Sequence, residues 1–129
     1  MTHPNADLLR RGYEAFAAGD IQTVLSVFAD DIAWHVSGES KISGEFHGHQ
    51  EVVGFFSRLM ELTDGRFRLE VHDILANDAN AAVLVTAFAE RDNRALEMRE
   101  VHTWRMADGK ATEFRIFAED SAITDRFFS

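Results

Sequence analysis

The feature that most constrains the fold is a change of hydrophobic period near the middle of the chain. Before Arg66, apolar side chains mostly recur every three or four residues, the spacing of amphipathic helices. From Arg66 onward, apolar and polar side chains alternate, as in strands with one buried face. Helices followed by strands are typical of the α+β class. The chain of 129 residues has the usual size of one core, so we expect a single domain over residues 1–129.

Capping residues and glycines set the predicted boundaries in the first half. Asn5 and Asp20 are suited to cap two successive helices, and Gly44 and Gly48 indicate a loop. A third helix is predicted to end before Gly65. The predicted elements are helices over 5–18, 21–28 and 49–63, with a short strand over 32–38.

The second half predicts four strands joined by tight turns, over residues 66–76, 81–91, 95–106 and 111–119. Short connections favour pairing between neighbours, so these strands should form an antiparallel meander. We expect the three helices to cover one face of this curved, mainly antiparallel sheet. Strong curvature would produce a cone-shaped barrel with a central pocket between sheet and helices.

Charge and composition exclude several classes of function. A formal net charge of −9 without a basic patch argues against nucleic-acid binding. The absence of cysteine excludes thiolate nucleophiles and zinc–cysteine sites, and it suits a reducing cytoplasm. No apolar run approaches the roughly 18 residues that a membrane span needs. We therefore expect a cytoplasmic protein with neither nucleic-acid nor membrane partners.

The strand predicted over residues 95–106 carries the candidate chemistry. Strict alternation places Glu100 and His102 on the same face as the apolar side chains of that strand. A buried carboxylate needs a partner, and paired titratable groups on an apolar wall are suited to general acid–base catalysis. The alternative is that Glu100 lies in solvent at the edge and that His102 is a core histidine with satisfied hydrogen bonds.

Tyr13 lies on the apolar face of the first predicted helix. Its hydroxyl requires a hydrogen-bond partner if it is enclosed, so it either donates to a ligand or is an ordinary core tyrosine. Other large side chains would line a pocket if one exists. The candidate ligand-binding residues are Trp34, Val36, Phe56, Leu59, Met60, Trp104, Phe114 and Ile116.

The segment HGH raises the question of a metal site. His47 and His49 would need a third ligand in fixed geometry. Apart from His102 in the strand over 95–106 and His3 in the N-terminal tail, only His35 and His72 remain as candidates. The spacing matches no H-E-x-x-H pattern, whereas a polar first turn after glycine is ordinary at a helix start. We expect no metal and no cofactor.

Several of these features resemble those of a known family. They are the Ala-Gly-Asp between the first two helices, the Ala-Asp-Asp before the strand with Trp34, and the Gly-x-x-x-Gly before the third helix. The segments DGRFRLEVHDILA and MREVHTWRMADGKATEFRIFAED extend the match over nearly the whole chain. The chain resembles SnoaL-like proteins of the nuclear transport factor 2-like superfamily, which also includes ketosteroid isomerases and limonene epoxide hydrolases. The resemblance implies a cone-shaped α+β barrel with a hydrophobic pocket, commonly in a homodimer.

The resemblance transfers the family's catalytic residues only in part. The oxyanion-hole tyrosine of the isomerases falls close to Tyr13, and their protonated acid falls near Val101 or at His102. The position of their catalytic base holds Val36, and that of the last-strand acid of the hydrolases and cyclases holds Ile116. Neither named reaction is therefore expected intact.

Three functions follow from these residues. The first is a metal-free isomerase or cyclase acting on a small apolar molecule through His102, Glu100 and Tyr13. The second is a non-catalytic protein that binds or sequesters a small hydrophobic metabolite. The third is an interaction module with a filled interior. For a homodimer, the open sheet face offers Val101, Thr103, Arg115 and Phe117, with Glu97, Arg99 and Arg105 beside them.

Overall fold

The helices and strands follow the predicted order, with one additional strand and one additional helix. The computed structural model describes residues 2–129. Its elements are α1 Pro4–Ala17, α2 Ile21–Val27, β1 Phe28–Val36, β2 Gly44–His47, α3 Gly48–Leu62, β3 Phe67–Ala76, β4 Asn80–Arg91, β5 Arg94–Ala107, β6 Lys110–Ala118 and α4 Ser121–Phe127.

The six strands form one mixed sheet in the order β2-β1-β6-β5-β4-β3. Strands β3 to β6 form the predicted antiparallel meander, and the α+β class is confirmed. Strand β1 runs parallel to β6, with Trp34 opposite Phe114, and antiparallel to β2. Because β2 and β3 lie at the two edges, the sheet does not close into a complete barrel.

Two short elements were not predicted. The stretch around Gly44, predicted as a loop, is edge strand β2, in which Phe46 lies opposite Trp34. The C-terminal segment forms α4, and the Asp120 side chain caps it by accepting hydrogen bonds from the backbone of Ala122 and Ile123. Both elements are too short to show a period. The sheet is therefore accompanied by four helices rather than three.

The start of α1 also differs from the prediction. His3, not Asn5, is the N-cap, and its Nδ1 accepts a hydrogen bond from the Asn5 backbone. Pro4 occupies the first helical position, where its missing N–H is not needed. The buried side-chain amide of Asn5 instead donates to the carbonyls of Asn77 and Asp78 and so fixes α1 against the β3–β4 turn.

Helix α3 packs its apolar face against the inner face of the sheet. Residues three and four apart form the buried stripe, which consists of Val52, Phe55, Phe56 and Leu59. Burying each such side chain contributes roughly 1.5–3 kcal/mol to stability. The stripe meets an aromatic group on the sheet, where the Trp34 and Phe114 rings stack with centroids 3.8 Å apart. Within residues 2–129, none of the helices combines the length and hydropathy that a membrane crossing requires.

Candidate functional site

A chain of three hydrogen bonds connects α1 to the middle of the sheet. Nε1 of Trp104 donates to the Tyr13 hydroxyl at 3.2 Å. That hydroxyl lies 2.6 Å from Nδ1 of His102. Nε2 of His102 lies 3.0 Å from Oε1 of Glu100. The structure thus brings together the three residues singled out as catalytic candidates, and it joins Trp104 to them.

Strand alternation explains how the acid and the imidazole come to be buried. Strand β5 is an interior strand, and His102 lies between Val83 of β4 and Ile116 of β6. Glu100 lies one row further along, opposite Val85 and Ala118. Their side chains are only 5% and 9% exposed, which contradicts the alternative that Glu100 lies in solvent.

With one proton on the imidazole of His102, the donors and acceptors assign one direction to the whole chain. A carboxylate only accepts hydrogen bonds, so the proton lies on Nε2 of His102 and is donated to Glu100. Nδ1 is then an acceptor and takes the hydroxyl proton of Tyr13, whose oxygen accepts from Trp104. Both ring nitrogens of His102 are therefore engaged by protein groups. The free acceptor capacity lies at the other end of the chain, on the Glu100 carboxylate.

Tyr13 is held as a neutral phenol. Burial raises the pKa of the Tyr13 hydroxyl well above its ordinary value of about 10, because a buried phenolate would lose its hydration. The hydrogen bond from Trp104 lowers this pKa in part, and the nearby charge of Glu100 raises it further. Tyr13 therefore acts as a hydrogen-bond donor and not as a base.

These polar groups border a cavity of about 120 Å³ between the helices and the sheet. Tyr13, Glu100 and His102 form part of its wall. The rest of the wall is largely aromatic and aliphatic. Seven of the eight side chains predicted to line a pocket do so, namely Trp34, Val36, Phe56, Leu59, Trp104, Phe114 and Ile116.

Met60 is the exception, and its predicted place in the lining is corrected. The inward stripe of α3 passes through Phe56 and Leu59, and Met60 lies about 100° further round the helix, where it is only half-buried. Phe55 occupies the wall instead. The helical period of the sequence contains this information, because Phe55 lies three residues after the buried Val52.

One end of the cavity has a polar border that the sequence did not reveal. Ser37, Ser121, Thr124 and Asp125 line it, three of them from α4. Asp125 Oδ2 accepts a hydrogen bond from the backbone N–H of Glu39 at 3.3 Å, which connects α4 to the turn after β1. The strand register puts Ala118, just before α4, opposite Glu100, so this border lies toward the Glu100 end.

Two buried polar atoms of the wall lack hydrogen-bond partners among residues 2–129. They are Nε1 of Trp34 and Oγ1 of Thr124. Both residues line the cavity.

Three other histidines, His35, His49 and His72, have their ring nitrogens within hydrogen-bond distance of protein groups. Nε2 of His49 lies 3.1 Å from the carbonyl oxygens of Phe28 and Ala29, and His72 Nε2 lies 2.7 Å from the Thr86 hydroxyl. His35 lies between Glu45 and Glu113 on the outer sheet face. His47 is the exposed N-cap of α3. Over the described range 2–129, no three His, Asp or Glu side chains are grouped as metal ligands would be.

Comparison with known proteins places this geometry in a family. The model of the SnoaL-like domain matches residues 9–114. The uncharacterized protein Rv0034 of Mycobacterium tuberculosis (strain ATCC 25618 / H37Rv) is 31% identical over 124 residues, which is 95% of each chain.

Solved structures agree with this match. Bal32a, from a soil-derived mobile gene cassette, superposes with a TM-score of 0.93 at 28% identity, covering 98% of this chain and 97% of its own. TerC, co-crystallized with polyporic acid, has a TM-score of 0.85 at 24% identity and covers 98% and 100%. At that identity TerC shows the fold alone. The expected resemblance is confirmed, and the chain belongs to the SnoaL-like domain family.

Proposed function

We propose that the protein binds a small, largely apolar molecule in the cavity and catalyses proton transfer on it without a metal. The reaction would be of the isomerase or cyclase type. The observation that carries this proposal is the hydrogen-bonded chain from Trp104 through Tyr13 and His102 to a carboxylate that is nine-tenths buried in an apolar wall.

Glu100 is the proton acceptor in this scheme. Its carboxylate takes a proton from a carbon next to a carbonyl group, and the C–H electron pair moves into an enolate. In an isomerase Glu100 returns the proton to another carbon. In a cyclase the enolate carbon attacks a second carbonyl carbon of the same molecule, the electron pair of that C=O bond moves to its oxygen, and the oxygen takes the proton from Glu100. His102 keeps its Nε2–H directed at Glu100, and Tyr13 fixes the tautomer that makes this possible. General acid–base catalysis of this kind typically contributes 10²–10⁴-fold to a rate.

The size of the cavity limits the ligand. A dry protein cavity of about 150 Å³ holds one benzene molecule. The cavity of about 120 Å³ therefore suits a single small ring or a chain of similar volume in the arrangement described.

A non-catalytic binding protein is the second candidate. Val36 and Ile116 line the cavity at the positions where the resemblance implies catalytic acids. An apolar wall at both positions favours holding an unreactive molecule. The two candidates differ only in whether the bound molecule exchanges protons with Glu100.

Cyclohex-3-enone is a small β,γ-unsaturated ketone that tests both candidates. We expect the protein to convert it to the conjugated isomer at least tenfold faster than buffer does, and Glu100→Gln to abolish the gain. Glu97→Gln is the matched control, because Glu97 is an exposed carboxylate on the same strand. Conversion that survives Glu100→Gln would contradict the assignment. Binding without conversion or proton exchange in D₂O would establish the second candidate.

We further propose that the outer sheet face forms a homodimer. Leu84, Val101 and Phe117 lie opposite one another on three adjacent strands and form one apolar row. Leu84 is 37% exposed and Phe117 is 55% exposed. Phe117→Glu should give monomers in light scattering, whereas Ile123→Glu, an exposed change on α4, should not. A monomeric parent protein would refute the dimer.

A further inference from the structure

The indole N–H of Trp34 is a buried donor without a partner. Trp34 is 4% exposed, and none of residues 2–129 accepts a hydrogen bond from its Nε1. An unsatisfied buried donor destabilises the folded state, and such groups are rare in folded proteins. Trp104, the only other tryptophan of the chain, uses its indole N–H to bind Tyr13.

The indole of Trp34 is surrounded by the aromatic rings of phenylalanine side chains. Phe114 stacks on its indole, Phe28 is tilted against it at 5.5 Å, and Phe56 meets it edge-to-face at 5.5 Å between centroids. Such contacts offer at most a weak N–H···π interaction. A full hydrogen bond to Trp34 therefore requires an oxygen that a bound molecule brings into the cavity.

The hydroxyl of Tyr13, which the resemblance implies as a hydrogen-bond donor to a ligand, is already hydrogen-bonded within the protein. The resemblance puts Tyr13 in the position of an oxyanion-hole donor, but its single hydroxyl proton is directed to Nδ1 of His102. Donation by Tyr13 to a ligand would break the arrangement that orients His102 toward Glu100. Among the wall atoms without partners, Nε1 of Trp34 can only donate, whereas the hydroxyl of Thr124 can donate or accept.

We propose that Trp34 selects a ligand with a carbonyl oxygen, which accepts the hydrogen bond of its indole N–H. This inference rests on the proposed function of the cavity as a ligand site and narrows the ligand class to small planar ketones and related carbonyl compounds. A carbonyl oxygen has acceptor lone pairs and no proton of its own, so it matches a donor-only group. The flat rings beside Trp34 favour an unsaturated, planar body.

Cyclopent-2-enone and 3-methylenecyclopentene test this selection, because both are single small rings of nearly the same shape and they differ in C=O against C=CH₂. We expect the protein to bind cyclopent-2-enone roughly threefold to tenfold more tightly, as one neutral hydrogen bond allows. In ¹H–¹⁵N spectra the Trp34 indole proton should move downfield with cyclopent-2-enone and not with 3-methylenecyclopentene. The Trp104 signal is the internal control, because its N–H is already bonded.

Trp34→Phe removes the N–H and keeps an aromatic ring. It should lose the preference for the ketone and bind the hydrocarbon probe at least as tightly, because a buried carbonyl without a donor loses its hydration. Equal affinities in the parent protein, or a preference that survives Trp34→Phe, would overturn the selection by Trp34 and leave the cavity as a binding site. If neither probe shifts any signal of the cavity wall, both this inference and the proposed function fail. The spectral comparison in the parent protein decides the matter even if the variant does not fold.

Discussion

The hydroxyl of Tyr13 lies 2.6 Å from Nδ1 of His102 and joins the first helix of the chain to its longest strand. This contact determines which nitrogen of His102 carries the proton and therefore which atom faces Glu100. Tyr13 contacts no substrate in the proposed mechanism. It nevertheless orients His102, which in turn hydrogen-bonds to the proposed base, Glu100.

Tyr13 should resist ionisation. It is the only tyrosine of the chain, so tyrosinate absorbance near 295 nm reports this residue alone. Because burial raises its folded pKa, folding favours the neutral form. The stabilisation is complete below the unfolded pKa of about 10 and declines as the pH rises above it. We expect no tyrosinate signal until the protein unfolds in alkali. A reversible titration near pH 10 with unchanged circular dichroism would contradict the buried position.

Tyr13→Phe should lower the free energy of unfolding by about 1–3 kcal/mol, because it leaves Nδ1 of His102 and Nε1 of Trp104 without partners. Urea denaturation measures the loss. A double-mutant cycle with Trp104→Phe is the control, since the second change removes one of the orphaned groups. The two losses should be less than additive. Strict additivity would show that the hydrogen bond from Trp104 contributes nothing.

Gly38→Ala should detach α4 from the turn after β1. Gly38 has φ +100°, and a Cβ at this position would lie 2.3 Å from Oδ1 of Asp125. Hydrogen exchange at the amides of α4 should become faster and the melting temperature should fall. Gly54→Ala is the control, because Gly54 lies in α3 with no neighbour within 4 Å of its added Cβ. It should stabilise the protein by roughly 0.5–1 kcal/mol. Unchanged exchange in Gly38→Ala would mean that α4 is not held by Asp125.

Ala87→Leu should fill the cavity at little cost. Ala87 is buried and lines the cavity, whereas Ala89, two residues further along the same face, is buried outside it. Leucine at position 87 enters open space, but leucine at position 89 overpacks the core and should cost about 1–3 kcal/mol. We expect Ala87→Leu to unfold near the parent midpoint in urea and to lose binding of cyclopent-2-enone. Equal destabilisation by the two variants would indicate that no usable space lies beside Ala87.

Local patterns in the sequence predicted most of the sheet and the direction of its site residues. Alternation along β5 is strict, so the inward direction of Glu100 and His102 follows from the residues themselves. The face of α1 that carries Tyr13 follows from helical spacing in the same way. Helical spacing also predicted that α3 has one buried face, although Met60 was wrongly included in the lining of the cavity.

Contacts between distant segments were not predictable from those patterns. Tyr13 and His102 are 89 residues apart. Neither the helical spacing of α1 nor the alternation of β5 indicates that the two side chains share a hydrogen bond. The parallel pairing of β1 with β6 is equally non-local. Strand β2 and helix α4, with four and seven residues, are too short for a period to appear. The polar border near Asp125 was missed together with α4.

The pairing of β1 with β6 has a consequence for biosynthesis. Trp34 faces Phe114 across that pair, so one wall of the cavity joins the first third of the chain to its end. A growing polypeptide on the ribosome can assemble the helices and most of the hairpins, but its aromatic side chains remain exposed until β6 has left the exit tunnel. Premature termination before β6 should therefore yield aggregation-prone fragments that chaperones retain, rather than a smaller functional protein.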